Sequence, residues 1–228
     1  SEDIVKLLEN KKNLYLKPID SGKGNGISTF HYKDKKYFIN EKEISKKDLN
    51  NFFSNEKNYF ICETIKQNKY LDDLYDKTSN TLRLVTFKDP KTEKFILYFA
   101  VQRIGTFNTI PVDNGSQGGL VAKVDLETGK LSAAKCLHNT NVYKIHPDSK
   151  NQIEGVKVPN WNNIKKEIVG LANKFPYLNF VAWDVLLTDK GMCIIEANAS
   201  SGINILQLWG GQKNKELGDL YRYYKLIK

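Results

Sequence analysis

What most constrains the fold of this chain is a recurring pattern: short segments rich in Phe, Tyr, Ile and Val, broken by turn residues, run along most of its length. Segments of that length and composition read as strands. They are expected over Leu14 to Ile19, Ile27 to Tyr32, Lys36 to Asn40, Asn58 to Ile65, Thr81 to Phe87, Phe95 to Ile104, Leu120 to Asp125, Leu131 to Leu137, Phe180 to Thr188 and Met192 to Asn198. Most gaps between them are of hairpin length, and Glu127-Thr128-Gly129-Lys130 reads as a tight turn whose glycine supplies a positive φ. Helical spacing is rarer. Asn160 can cap a helix that starts at Trp161, since Ile164, Ile168, Leu171, Ala172 and Phe175 recur at helical intervals and Pro176 ends it. A shorter helix follows Ser45, whose hydroxyl lies three residues before Asp48. Strand-rich halves with segregated helices predict an α+β fold, not the alternating βαβ order of a doubly wound sheet.

With 228 residues, 40% of them hydrophobic, the chain can build one large domain or two smaller lobes. No apolar run approaches the roughly 18 residues of a membrane helix, and Ser1 to Asn10 lack the order of a secretory signal. The three cysteines, Cys62, Cys136 and Cys193, form no CxxC pair, so neither a disulfide framework nor a zinc knuckle is available and a reducing cytoplasm is expected. The net charge of +9 could suit nucleic acid. Yet 32 of the 35 basic residues are Lys, scattered and mixed with 23 Asn, whereas readers of bases and phosphates lean on clustered Arg. A Lys-rich solvated surface accounts for the charge, and no nucleic-acid partner is expected. The arginines are only Arg83, Arg103 and Arg222, and the first two lie in strand-like segments.

Three groups of residues carry chemistry. In Lys17-Pro18-Ile19-Asp20-Ser21-Gly22-Lys23-Gly24-Asn25-Gly26-Ile27, glycines alternate at Gly22, Gly24 and Gly26 and leave backbone N–H groups able to approach an anion. The loop runs into a strand and not a helix, which excludes a Rossmann turn or a P-loop. It is either a flap over nucleotide phosphates, with Lys17 adding a charge, or a flexible surface hairpin. Next, if Asp189-Lys190-Gly191 form a three-residue turn, Thr188 faces Met192 and Asp184 falls opposite Glu196, with Asn198 on the same face. Leu186 and Ile194 make that face otherwise apolar. Two carboxylates there repel, and either a divalent cation such as Mg²⁺ or a salt bridge from Lys or Arg relieves them. Finally, Arg83 and Arg103 are candidate clamps for phosphate or carboxylate, because a guanidinium makes a two-toothed grip that Lys cannot. The stretch Val112 to Gly119 could add a second loop of backbone donors or be an ordinary turn. His31, His138 and His146 have no second His or Cys at ligand spacing and are expected to be ordinary, and no cysteine has a base partner.

Read in order, Lys17-Pro18 with its glycine flap, Ile61-Cys62-Glu63-Thr64-Ile65, Asn80-Thr81-Leu82-Arg83, Asp113-Asn114 through Gly118-Gly119, Val124 to Gly129, His146-Pro147, Trp183-Asp184-Val185 and Ile195-Glu196-Ala197-Asn198 resemble ATP-grasp enzymes. More narrowly, they resemble the sugar-transfer-associated group of bacterial polysaccharide gene clusters, over about residues 14 to 207. The resemblance implies two lobes, 1–65 and 66–228, each an antiparallel sheet with helices, and a nucleotide in the cleft between them. It implies ATP and Mg²⁺ as cofactors and a carboxylate–amine ligase that works through an acyl phosphate. The substrates would be a small carboxylate and an amine, free or glycan-linked, such as a sugar acid or an amino-acid-bearing sugar in polysaccharide or capsule assembly. Lys17 with Gly22, Gly24 and Gly26 would meet the phosphates, and Glu63, Thr64 and Ile65 would meet adenine. Asp184, Glu196 and Asn198 would hold Mg²⁺, Arg83 and Arg103 would steady the transferred phosphoryl group, and Asn80, Asn114, Gly118 and Gly119 would line the substrate site. An ATP-grasp kinase and a nucleotide- or glycan-binding module without turnover are the alternatives. The resemblance implies an N-terminal domain ahead of the lysine strand, where only about thirteen residues stand, so the expectation is a fragment, a minimal domain, or one part of a larger chain or complex that supplies that domain.

Overall fold

Along a strand, side chains alternate between faces, so Leu14, Leu16 and Phe30 can all be buried on one side while Asn13, Tyr15 and His31 stay more exposed. The computed structural model that shows this describes residues 2–19, 26–55 and 57–228. Gly22 and Gly24 of the glycine-rich loop lie outside the described residues. Helix α1 (Glu2–Lys11) precedes strands β1 (Asn13–Pro18), β2 (Ser28–Lys33), β3 (Lys36–Ile39) and β4 (Lys42–Ile44), then helix α2 (Lys46–Asn55) and strand β5 (Tyr59–Glu63). The strands form an antiparallel sheet in the order β4-β3-β2-β1-β5, and Val5 and Leu8 of α1 with Leu49 and Phe53 of α2 cover its apolar face. Ser45 caps α2 as its sequence suggests, accepting from Asp48 N at 3.1 Å. Helix α1 was not foreseen from the strand pattern, although Val5 and Leu8 do have helical spacing.

The chain divides into two compact units, Ser1–Lys66 and Gln67–Lys228. The second contains α3 (Lys69–Leu74), β6 (Leu82–Lys88), β7 (Phe95–Ile104), β8 (Leu120–Val124), β9 (Leu131–Cys136), β10 (Val142–Tyr143), α4 (Trp161–Ala172), β11 (Phe180–Thr188), β12 (Gly191–Asn198), α5 (Asn204–Gln207) and α6 (Glu216–Tyr223). Its antiparallel sheet has the order β10-β9-β8-β7-β6-β11-β12. One face packs against α3 and α4 through Leu71, Leu74, Trp161, Ile164 and Ile168. The other packs part of its surface against Leu206 of α5 and Leu217 and Leu220 of α6. Each unit is α+β, as the sequence predicts. No helix among the described residues is long and apolar enough to cross a membrane.

Two local expectations change. Asn160 does not cap α4 through its side chain; its backbone is left-handed, at φ 52°, and turns the chain into the helix instead. The β11–β12 turn holds two residues, Asp189 and Lys190, so Thr188 faces Gly191 and not Met192, and Leu186 faces Cys193 and not Ile194. Gly191, at φ 114°, takes the positive dihedral that this tighter turn needs. A bulge then leaves Ile195 without an opposite residue, and Asp184 faces Glu196 after all. The Glu127 to Lys130 turn is as foreseen, with Gly129 at φ 75° and Asp125 Oδ1 accepting from Thr128 N and Oγ1, each at 2.7 Å.

Behind the sheet, the segment leaving β7 is braced by buried polar groups. Asn80 is fully buried; its Oδ1 accepts from Thr78 Oγ1 (2.8 Å) and Gly105 N (3.0 Å), and its Nδ2 donates to the carbonyls of Leu71 (3.1 Å) and Tyr75 (2.6 Å). His146, also fully buried, stacks on Tyr75, donates from Nε2 to Gly105 O (2.8 Å) and accepts at Nδ1 from Asp148 N and Ser149 N. Those bonds require the neutral ring, and burial pulls its pKa below the ordinary imidazole value. The unfolded chain therefore protonates first on acidification. The stabilisation from His146 should be complete above the unfolded value near 6.5 and be lost as pH falls from there through the folded value. Urea unfolding at pH 7.5 and 5.5 should show a smaller loss of stability for His146→Gln than for the parent chain; equal losses would remove His146 from the account.

Candidate functional site

Antiparallel pairing sets Arg83 of β6 opposite Asp184 of β11, and Asp184 opposite Glu196 of β12, so three charged residues stand in line across three adjacent strands. Asn198 follows Glu196 on the same face, and Arg103 of β7 joins them two residues beyond Val101, which faces Arg83. Period-two alternation on a shared sheet is what gathers residues from distant parts of the sequence here.

The contacts are ionic and largely buried. Arg83 grips Asp184 with Nε on Oδ1 and Nη2 on Oδ2 (2.9 Å), while its Nη1 donates to Ser201 Oγ (2.9 Å). Arg103 spans two acids, with Nη1 on Asp184 Oδ2 (3.0 Å) and Nη2 on Asp113 Oδ1 (2.6 Å). Asp113 is fixed in turn by Thr81, whose N and Oγ1 both donate to its Oδ2 at 2.6 Å. The side chains of Asp113 and Asp184 are only 5% and 8% exposed, where a carboxylate without a charged partner is costly. Burial pushes the Asp113 carboxyl up from the usual carboxylate range, against Arg103 and the Thr81 hydrogen bonds, which pull it down. Burial by itself lowers the pKa of Arg103, but Asp113, Asp184 and Glu196 outweigh it and raise the value. Arg103 Nε is buried without a hydrogen-bond partner.

The remaining sequence-predicted residues fall in different places. Lys17 is half-buried on β1, opposite Phe60, and Gly26 turns the chain at φ 74°. Glu63, Thr64 and Ile65 are exposed at and just beyond the end of β5, with Glu63 paired to Lys11 Nζ at 2.9 Å. Asn80 has its whole amide committed inside the protein, where it braces the segment that leaves β7. The loop from Val112 to Gly119 does not offer a row of free donors either. Asn114 Oδ1 accepts from Ser116 N and Oγ; the N–H groups of Gln117 and Gly119 bond Asn114 O, and that of Gly118 bonds Gly115 O. Gly118 takes φ 102°, and a Cβ on Gly119 would lie 2.6 Å from Asp113 O, so the turn is wound too closely for a side chain there. What this loop contributes is Asp113. The sequence places Asp113 in a candidate loop but not beside Arg103, and it does not point to Ser201 at all, since nothing in local spacing connects residues so far apart.

No group of three or more His, Cys, Asp or Glu among the described residues is arranged to hold a metal ion. Two carboxylates and an amide oxygen from Asp184, Glu196 and Asn198 are nonetheless the hard oxygen donors that suit Mg²⁺. The guanidiniums take three of the roughly four lone-pair directions of Asp184, which leaves it one to share. Glu196 is exposed, so its carboxylate is open to a cation. From Asn198 a cation would take the amide oxygen, since Nδ2, a buried donor with no hydrogen bond, has no lone pair to give. The donor set therefore fits the ion that the fold family implies.

Residues 1–217 match the family model for sugar-transfer associated ATP-grasp proteins, and the chain belongs to that family. Comparison with curated proteins gives no match. Among solved structures, it is similar to the Chryseobacterium gregarium RiPP-associated ATP-grasp ligase in complex with ADP and a leader and core peptide, at 8% identity and a TM-score of 0.45, over 100% of this chain and 53% of that one. Macrocyclase MdnC bound with precursor peptide MdnA, from Microcystis aeruginosa MRC, matches at 15% identity and TM-score 0.40, over 91% and 48%. The ATP-grasp ligase PsnB complexed with a phosphomimetic variant of minimal precursor, Mg and ADP matches at 13% and 0.41, over 90% and 44%. The chain spans about half the length of these solved chains.

Because Arg103 joins two buried carboxylates, Arg103→Lys should keep the charge but lose one of the two grips. Thermal or urea unfolding should then show a loss of about 1–3 kcal/mol. An unchanged melting temperature would mean that the second grip adds nothing to the folded state.

Proposed function

We propose that this protein is an ATP- and Mg²⁺-dependent carboxylate–amine ligase. The observation that carries the reading is the row Arg83, Asp184 and Glu196 across adjacent strands, with Arg103 and Asn198 on the same face. Such an array suits phosphoryl transfer, where protein side chains mainly position and neutralise charge. Asp184, Glu196 and Asn198 would hold Mg²⁺, which would supply charge neutralisation at the phosphate oxygens. Arg83 and Arg103, turned toward the same face, would orient the γ-phosphoryl group. Lys17 and the backbone of Glu63 to Ile65 are proposed nucleotide contacts, on the strength of the family motifs. In the reaction, a carboxylate oxygen bonds to the γ-phosphorus as ADP leaves. An amine nitrogen then bonds to the acyl carbon, phosphate departs, and the nitrogen gives up its proton. The carboxylate would belong to a sugar acid or an amino-acid-bearing sugar of polysaccharide assembly.

Mass spectrometry of products from sugar acids, amines and short peptides incubated with ATP and Mg²⁺ tests this reading. A ligase forms ADP and phosphate only when carboxylate and amine are both present; phosphate transferred to one acceptor alone would mark a kinase, and nucleotide binding without turnover a binding module. Glu196→Ala, at an exposed position, should leave the fold intact and remove most of the Mg²⁺-dependent activity. Full activity of that variant at limiting Mg²⁺ would sink the ligand assignment.

A further inference from the structure

Asp184 has two cationic neighbours, and they are not held alike. Arg103 possesses a second carboxylate, Asp113, which Thr81 fixes with two short hydrogen bonds. Among the described residues Arg83 makes no such second ion pair. Two arms of its fork go to Asp184, and its other contact is the neutral hydroxyl of Ser201 at 2.9 Å. If Asp184 is drawn elsewhere, Arg103 keeps an ionic partner and Arg83 does not. A divalent cation on Asp184 and Glu196 must use the carboxylate that both guanidiniums already occupy, and their positive charges oppose it at close range.

We propose that Arg83 is an exchangeable counterion of Asp184: its fork and a divalent cation compete for the same carboxylate, while Arg103 stays anchored on Asp113. This rests on the reading of Asp184, Glu196 and Asn198 as cation ligands. Entry of the cation shifts the balance of charge on Asp184 and releases the planar fork of Arg83 toward an anion on the same sheet face. Cation and anion binding are thereby coupled, and by linkage an anion that takes the freed fork strengthens the cation in return. The released group is a guanidinium and not an ammonium, so it can receive two oxygens of one phosphate or carboxylate at once. A purely structural Arg83 makes the opposite prediction. It would hold Asp184 in place for the cation, and losing it would weaken cation binding.

Mn²⁺ titrated into the whole chain without nucleotide, with free Mn²⁺ read by electron paramagnetic resonance, separates these cases. Arg83→Gln should bind Mn²⁺ at least about ten-fold more tightly than the parent chain, because a positive charge beside the ligand is gone. Glu196→Gln should bind it at least about ten-fold more weakly. If Glu196→Gln binds as the parent does, the cation-ligand reading fails, and the counterion proposal with it. If Glu196→Gln is weakened while Arg83→Gln is unchanged or weaker, the counterion proposal alone fails. Absence of binding in all three chains overturns both. Should Arg83→Gln fail to fold, the parent chain decides by NMR, since three arginines give few Nε–H signals to resolve. Saturating Mg²⁺ should speed solvent exchange of the Arg83 Nε–H that Asp184 now protects, and unchanged protection would overturn the proposal.

Discussion

Two guanidiniums converge on one buried carboxylate, and the arrangement of the second unit's polar face follows from that contact. Asp184 sits in the middle of β11, where burial would penalise an unpaired charge heavily; Arg83 and Arg103 make it tolerable from the strands on one side. Arg103 then passes the ionic contact on to Asp113, which lies in the long connection between β7 and β8. A buried ion pair contributes little net stability relative to apolar packing, but breaking one member of it is costly. The network thus fixes where charge lies more than it strengthens the fold. Because Glu196 is the next residue across the sheet, the array ends in a carboxylate on both sides, Glu196 on β12 and Asp113 beyond Arg103.

The connection between β7 and β8 has to be rigid for Asp113 to reach Arg103. Its beginning is tied down at Gly105, whose N–H goes to Asn80 and whose carbonyl receives His146. Its end is wound into a turn whose own N–H groups bond inward, with Gly119 packed against the backbone of Asp113. Polar groups that look in the sequence like ligand contacts therefore serve here as internal braces. Their chemistry is the same in either role; a buried amide or backbone N–H needs a partner, and it takes whichever one the fold supplies.

The strands were legible in the sequence because alternation and turn residues are local properties, and the same is true of Ser45 at the start of α2. Legibility stopped where two distant segments had to meet. The juxtaposition of Asp184 and Glu196 was foreseen from a three-residue turn, whereas the protein reaches it through a two-residue turn and a bulge at Ile195. The displacement of one residue at the turn is undone by the extra residue in β12, and the intervening apolar pairs, Leu186 with Cys193 among them, carry the difference. Asn160 shows the same limit at short range. Its residue type suits both a side-chain cap and a left-handed turn, and only the approach of the chain to α4 selects between them.

Sequence by itself determined the α+β class, most strands, and the family to which the ordered motifs belong. Each of those rests on periodicity or spacing within a few residues, or on the order of short motifs. Tertiary structure decided what the charged groups do to one another: that Arg83 and Arg103 both hold Asp184, that Asp113 anchors only the second, and that Asn80 faces inward. Those outcomes depend on which strands become neighbours, in the order β7-β6-β11-β12. The electrostatic energy of a pair depends on separation in space and on burial, and neither is encoded in separation along the chain.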